Sequence, residues 1–343
     1  MKKNAKIIYG ILSLSAMYII ILDSKCAVNS ISDGIRLCLQ TVIPALFPFL
    51  ILSGVLNGCF LGQSFLFMAP VRRFCKIPDG TESIFLIGLI SGYPVGARLI
   101  TEAYNAGCIT KESARRMLGF CSNAGPAFLF GMLAGVFTQK FTPWILWGIH
   151  IISSLIVAHI LPCGSQERCT LPIKHKISLT DSLNNAIRNF ATICGWVIMF
   201  RLVLAFFNKW FLWIFPLELQ VLISGLIEIS NGCILLQQIE NEGMRFIITS
   251  VILAFGGLCV GMQTVSVTGS LGTGYYFPGK LLQTIISTVI SYFVQAIIFD
   301  KNYASYIRVF VSIFIAVLCP YIFRKIVVAF RRRMLYNTHN KCI

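Results

Sequence analysis

The sequence predicts an all-α polytopic membrane protein with about eight transmembrane helices and two re-entrant hairpins, arranged as two inverted-topology repeats. Three observations carry that expectation. Of 343 residues, 56% are hydrophobic and only 12% charged, about half the roughly 25% charge of a soluble domain. Apolar runs of bilayer length recur along the chain, with short basic clusters between them. Two further apolar runs are interrupted by Gly, Pro and polar residues. So little charge cannot coat a water-soluble surface, which excludes soluble enzyme folds. The net charge of +16 sits where membrane orientation needs it, so nucleic-acid binding is not expected.

Taken in order, the chain opens with Lys2, Lys3 and Lys6 before an apolar run from Ile7 to Leu22. No small-x-small site follows, and Asp23-Ser24-Lys25-Cys26 is no lipobox, so an uncleaved first helix is expected. A spanning helix needs about 20 mostly apolar residues. The runs 7–22, 37–60, 117–137, 143–161, 191–207, 246–268, 281–299 and 307–323 meet or approach that length. The runs 82–100 and 217–237 break at Ser91–Gly96 and at Glu228–Gly232. Backbone freed there cannot be satisfied by lipid and must be shielded by protein or face a wet cavity. Each run is too short to cross twice, so each is expected to turn back on its own side.

The charge distribution agrees. With both termini cytoplasmic and both hairpins re-entrant, the inner loops hold Arg72, Arg73, Lys76, Arg98, Lys111, Arg115 and Arg116. They also hold Arg168, Lys174, Lys176, Lys280 and a tail containing Arg324, Lys325, Arg331, Arg332 and Arg333. The outer loops keep Lys25, Lys140, Lys209, Arg245 and Lys301. A spanning hairpin would invert everything after it and spoil this bias.

An internal echo supports two units. Gly34-Ile35-Arg36 precedes one span as Ala186-Ile187-Arg188 precedes another, and Gly88-Leu89-Ile90-Ser91 is echoed by Gly225-Leu226-Ile227-Glu228. Asn123-Ala124-Gly125 has a weaker counterpart at Phe255-Gly256-Gly257. An odd number of crossings separates the units, so they face opposite ways, a pattern of secondary transporters with a midplane substrate site. The expected divisions are a leading helix at 1–30, repeat 1 at 31–165 with hairpin 82–100, repeat 2 at 178–300 with hairpin 217–237, and a last helix with a basic tail at 301–343.

The candidate substrate-binding residues follow from the breaks. Ser91, Gly92, Tyr93, Pro94, Gly96 and Arg98 form an unwound turn whose amides can face an anion; the alternative is a plain tight turn. Ser122, Asn123, Gly125 and Pro126 place hydrogen-bonding groups beside a Gly-Pro kink; the alternative is helix packing through small residues. Glu228, in the middle of an apolar run, is a candidate for coupling to a proton or cation, with Ser230 and Asn231 beside it. Its competing role is an ion pair with Arg201, which can instead bind an anionic substrate or reach the outer surface. Thr264, Ser266 and Thr268 read as back-bonded to their own helix.

Other chemistry is not expected. The thirteen cysteines are scattered without C-x-x-C, so no metal site or disulfide framework is expected. There is no Walker A motif and no H-E-x-x-H. The order Gly88-Leu89-Ile90-Ser91-Gly92 lacks the G-x-S-G of intramembrane serine proteases. The chain is therefore read as not an enzyme and as needing no cofactor, with the lipid bilayer as its surroundings and its oligomeric state open.

The run Ser91-Gly92-Tyr93-Pro94-Val95-Gly96-Ala97-Arg98, followed by Cys121-Ser122-Asn123-Ala124-Gly125-Pro126-Ala127-Phe128-Leu129-Phe130-Gly131, resembles the sporulation integral membrane proteins of the YlbJ type. These are grouped with membrane proteins carrying nucleoside-recognition (Gate) domains. The resemblance covers nearly the whole chain from about residue 30. It implies a role in endospore formation at a forespore membrane, and movement of dipicolinate, a small anion, across it. It also implies an architecture similar to concentrative nucleoside transporters. A nucleoside or nucleobase permease, and a non-transporting scaffold for spore assembly, are the competing readings.

Overall fold

The computed structural model describes residues 3–163, 169 and 178–299. Every regular element among them is helical. Helix α1 (Lys3–Leu22) ends at Asp23, whose side chain accepts a hydrogen bond from the Cys26 amide and so caps α2 (Ser24–Leu37). A π turn at Cys38–Val42 joins α2 to α3 (Ile43–Phe60), making one continuous 37-residue segment. The turn lies just before Pro44, which lacks an amide to continue the regular ladder.

After α4 (Ala69–Cys75) come two pairs of helices that meet at breaks. Helix α5 (Glu82–Ser91) and α6 (Val95–Asn105) meet at Gly92-Tyr93-Pro94. Helix α7 (Lys111–Met117) and α8 (Pro126–Met132) are separated by the non-helical residues 118–125. A long helix, α9 (Thr142–Ile160), follows. The succession of element types then recurs. Long helix α10 (Leu179–Trp210) leads to α11 (Leu217–Ile227) and α12 (Ile229–Leu235), which meet at Glu228. Helix α13 (Glu242–Phe255) and α14 (Gly257–Thr268) meet at Gly256, and α15 (Tyr276–Ile298) closes the series.

Five described segments are long and apolar enough to cross a bilayer: Ser24–Phe60, Thr142–Ile160, Leu179–Trp210, Glu242–Leu271 and Tyr276–Ile298. Ile7–Leu22 is apolar but shorter. The expected continuous span at 117–137 is not one helix. Its Gly119, the polar pair Ser122-Asn123 and Gly125-Pro126 interrupt the ladder, leaving seven helical residues from Pro126. The span expected at 246–268 is likewise divided, because Gly256 and Gly257 both take positive φ, near 81° and 84°. The expected span at 307–323 and the basic tail lie outside the described residues.

Contacts fix which ends lie together. The Gly62 amide donates to the Gly80 carbonyl at 2.8 Å, and Asn57 to Glu102 at 3.4 Å. The start of α5 and the end of α6 therefore both sit beside the C-terminal end of α3. Small residues permit the close approach of each broken pair. In α5 and α6, a Cβ on Gly88 would stand 3.2 Å from Gly96 Cα; in α11 and α12, one on Gly232 would stand 2.8 Å from the Gly225 nitrogen. Helix α10 lies against α2 and α3, and α9 against α15.

One buried and one partly buried guanidinium group tie helix ends together. Arg116, 3% exposed, donates to the carbonyls of Cys75 at 2.8 Å, Lys76 at 3.1 Å and Leu161 at 3.4 Å, and also to Ala158. These carbonyls end α4 and α9, where the helix dipole favours a cation. Arg245 joins Ile239, after α12, to the Val136 carbonyl at 2.5 Å. Glu82, fully buried at the start of α5, accepts from Arg72 at 2.7 Å and from the Gly80 amide at 2.9 Å. Away from the spans, burial in α4 pushes the Cys75 thiol up to about 12, so it stays protonated and unreactive near neutrality.

Candidate functional site where the helix breaks meet

Apolar clusters on two sides leave a pocket of about 40 Å³ between them. Three breaks reach it. Tyr93 comes from the α5–α6 break, Ala124 and Gly125 from the α7–α8 break, and Glu228, Ile229 and Ser230 from the α11–α12 break. Val42 and Leu46, Phe128, Ile193 and Val197, and Val260 and Gln263 complete the lining from α3 and its π turn, α8, α10 and α14.

The breaks are held by backbone packing. Gly92 has φ near 83°, open to glycine and strained for other residues. A Cβ on Gly92 would stand 2.9 Å from the Gly125 nitrogen, and one on Gly125 would stand 2.9 Å from both the Gly92 nitrogen and the Ile90 carbonyl oxygen. Gly96 faces the Cys121 carbonyl in the same way. The two motifs singled out in the sequence therefore touch through their glycines.

Glu228, 1% exposed, caps α12: its carboxylate accepts from the Ser230 amide at 3.0 Å and the Asn231 amide at 2.7 Å. No ion pair joins it to Arg201 among the described residues. The Cβ of Arg201, on α10, lies against Gly34 of α2, and Arg201 does not line the pocket. Arg98 is also elsewhere. It is buried against α3, donating to Ser53 Oγ at 3.1 Å and lying 3.7 Å from Glu102 one turn on. The alternative of a direct ion pair with Arg201 is not realised: main-chain amides hold the carboxylate, and the Arg201 charge acts on it from farther away.

Of the other predicted residues, Ser91 ends α5, Pro94 precedes α6 after a cis peptide bond, and Pro126 opens α8. Ser122 is fully buried and Asn231 nearly so, and neither lines the pocket. Asn123 belongs to a polar network that the sequence did not signal. Its amide donates to the Phe120 carbonyl at 2.7 Å and to Ser154 at 3.3 Å. Its oxygen accepts from Gln283 at 3.1 Å, and Gln283 also reaches the His150 carbonyl at 3.2 Å. His150 Nε2 accepts from the Ala124 amide at 3.1 Å.

Lys280 completes the network and corrects its expected place in an inner loop. It lies within α15, 1% exposed, donating to Gln283 Oε1 at 2.7 Å and Tyr93 Oη at 3.1 Å. Its ammonium stands 4.9 Å from the centre of the Tyr93 ring, at cation–π distance. Tyr93 in turn donates to the Leu253 carbonyl at 3.1 Å. No carboxylate lies within ion-pair distance of Lys280 among the described residues. The helix begins five residues before the expected span at 281, so the lysine fell between two predicted runs.

These features define a multi-pass, all-helical integral membrane protein with an interior pocket at its helix breaks. No family model matches the chain, and no solved structure matches it. It is similar to the sporulation integral membrane protein YlbJ of Bacillus subtilis (strain 168), with 25% identity over 320 residues, 79% of this chain and 78% of that protein. The match supports a YlbJ-type sporulation membrane protein, the family that the two break motifs resemble.

Proposed function

We propose that the chain is a transporter of a small anionic metabolite, dipicolinate, across a forespore membrane, built on two inverted repeats with re-entrant hairpins at α5–α6 and α11–α12. The observation that carries the reading is the convergence of Tyr93, Gly125, Glu228 and Ser230, from three separate helix breaks, on one pocket. Broken helices at the interface of paired units are how secondary transporters expose backbone groups to a solute. Glu228 is the coupling residue: a carboxylate held at the pocket wall can exchange a proton or cation as the site changes its access. Dipicolinate itself comes from the family resemblance.

A neutral heterocycle of nucleoside type is the second reading. The pocket lining favours it in one respect: it includes Glu228 and no Arg or Lys. Purified protein in liposomes separates these readings. Uptake of dipicolinate, read by luminescence of enclosed terbium, should exceed protein-free leak and should not be inhibited by uridine. Uridine uptake without dipicolinate uptake would shift the function to a nucleoside permease. Uptake of neither would leave a membrane scaffold.

A further inference from the structure

We propose that Lys280 is the counter-charge for the transported acid, and that the Tyr93 hydroxyl holds its place until a substrate carboxylate arrives. The inference rests on the transport reading above and supplies what its pocket lacks. Arg98 is turned to α3, and Arg201, whose charge acts on Glu228, does not itself line the pocket. Lys280 is a fully buried ammonium one side chain away from the pocket, behind Tyr93. An ammonium has three donors; here two are used, on Gln283 and Tyr93, both neutral acceptors.

A charge buried without a carboxylate is costly unless something meets it. Tyr93 separates it from the pocket. The ring lines the pocket, while the hydroxyl contacts both the ammonium and the Leu253 carbonyl. A change of Tyr93 rotamer therefore joins the pocket to Lys280 and Gln283. The carboxylate then accepts from Lys280 in place of the phenol, and the phenol hydroxyl is released. Charge-assisted bonds are roughly twice as strong as neutral ones, so the exchange favours an anion over a neutral solute. Residues on three elements, the α5–α6 break, α13 and α15, would respond together.

Binding to full-length purified protein is the test, with dipicolinate and its uncharged analogue pyridine-2,6-dicarboxamide as probes. Lys280→Met should weaken dipicolinate binding by about tenfold or more and leave the dicarboxamide unchanged, while Lys280→Arg should retain most of the acid binding. Tyr93→Phe keeps the ring and removes the competing hydroxyl, so it should tighten dipicolinate binding; a packing role alone predicts no gain. Equal dipicolinate binding by Lys280→Met and the unaltered protein would overturn the proposal, as would a Tyr93→Phe variant that binds no better. If Lys280→Met does not fold, the Tyr93→Phe result decides. Unaltered protein that binds no dipicolinate would remove the transport reading and this inference with it, whereas binding that ignores both substitutions would remove the inference alone.

Discussion

Replacing Gly125 by Ala adds one methyl group at the contact between two helix breaks, and the geometry sets its consequence. The new Cβ would lie 2.9 Å from the Gly92 nitrogen and the Ile90 oxygen, and 3.0 Å from Gly92 Cα. All three are main-chain atoms, so no side chain can rotate away. Gly125 has φ near −76°, ordinary for any residue, so the effect is steric and not conformational. Overpacking costs about 1–3 kcal/mol, and a purely main-chain contact belongs near the upper end, about 3 kcal/mol. Gly131 is the matched control. It lies within α8 with nothing within 4 Å of its added Cβ, and Ala there gains helix propensity of about 0.5–1 kcal/mol. Thermal unfolding of the detergent-purified variants should place Gly125→Ala about 4 °C below the unaltered protein, and Gly131→Ala at or slightly above it. Terbium-read uptake should fall about tenfold or more in the first and stay unchanged in the second. Indistinguishable unfolding and uptake for the two variants would refute the view that these breaks are packed backbone to backbone.

Glu228→Gln keeps one acceptor oxygen but turns a carboxamide NH2 donor toward one of the two α12 N–H donors, with an expected loss of about 1–3 kcal/mol. Uptake by this variant should lose its response to an imposed proton or cation gradient, and an unchanged response would end the coupling role. Arg116→Met leaves four helix-end carbonyls without their shared donor. It should reduce the yield of monodisperse protein and lower the unfolding temperature by several degrees, a change that Arg73→Met in α4 should not reproduce.

Much of the framework was legible because lipid imposes simple rules. Breaks appear where Gly, Pro and charge interrupt an apolar run, and those at Gly92–Pro94 and Glu228 fall within the expected segments. The echo between Gly88 and Gly225 has a spatial meaning: each supports the close approach of its own helix pair. Less visible was the interruption of 117–137, since a mean apolar character hides the non-helical stretch 118–125. The charges were harder still. Whether Arg98 faces a pocket or α3 depends on helix rotation, and Ser53 and Glu102 decide it. Lys280 sits near the start of its helix, where a hydropathy window cannot separate a loop cation from a buried one. Glu228 was identified by its isolation, but its partners are amides two and three residues ahead, a cap rather than an ion pair.

The central claim is that the two hairpins enter from opposite faces and turn back at the pocket. Single cysteines at Gln63, Asn105, Trp213 and Glu240, all exposed positions flanking the hairpins, can be placed in an otherwise cysteine-free chain and labelled with an impermeant maleimide in sealed vesicles of known orientation. Positions 63 and 105 should react from the cytoplasmic side, and 213 and 240 from the other. Opposite labelling within either pair would mean that its hairpin crosses the membrane, which contradicts the account.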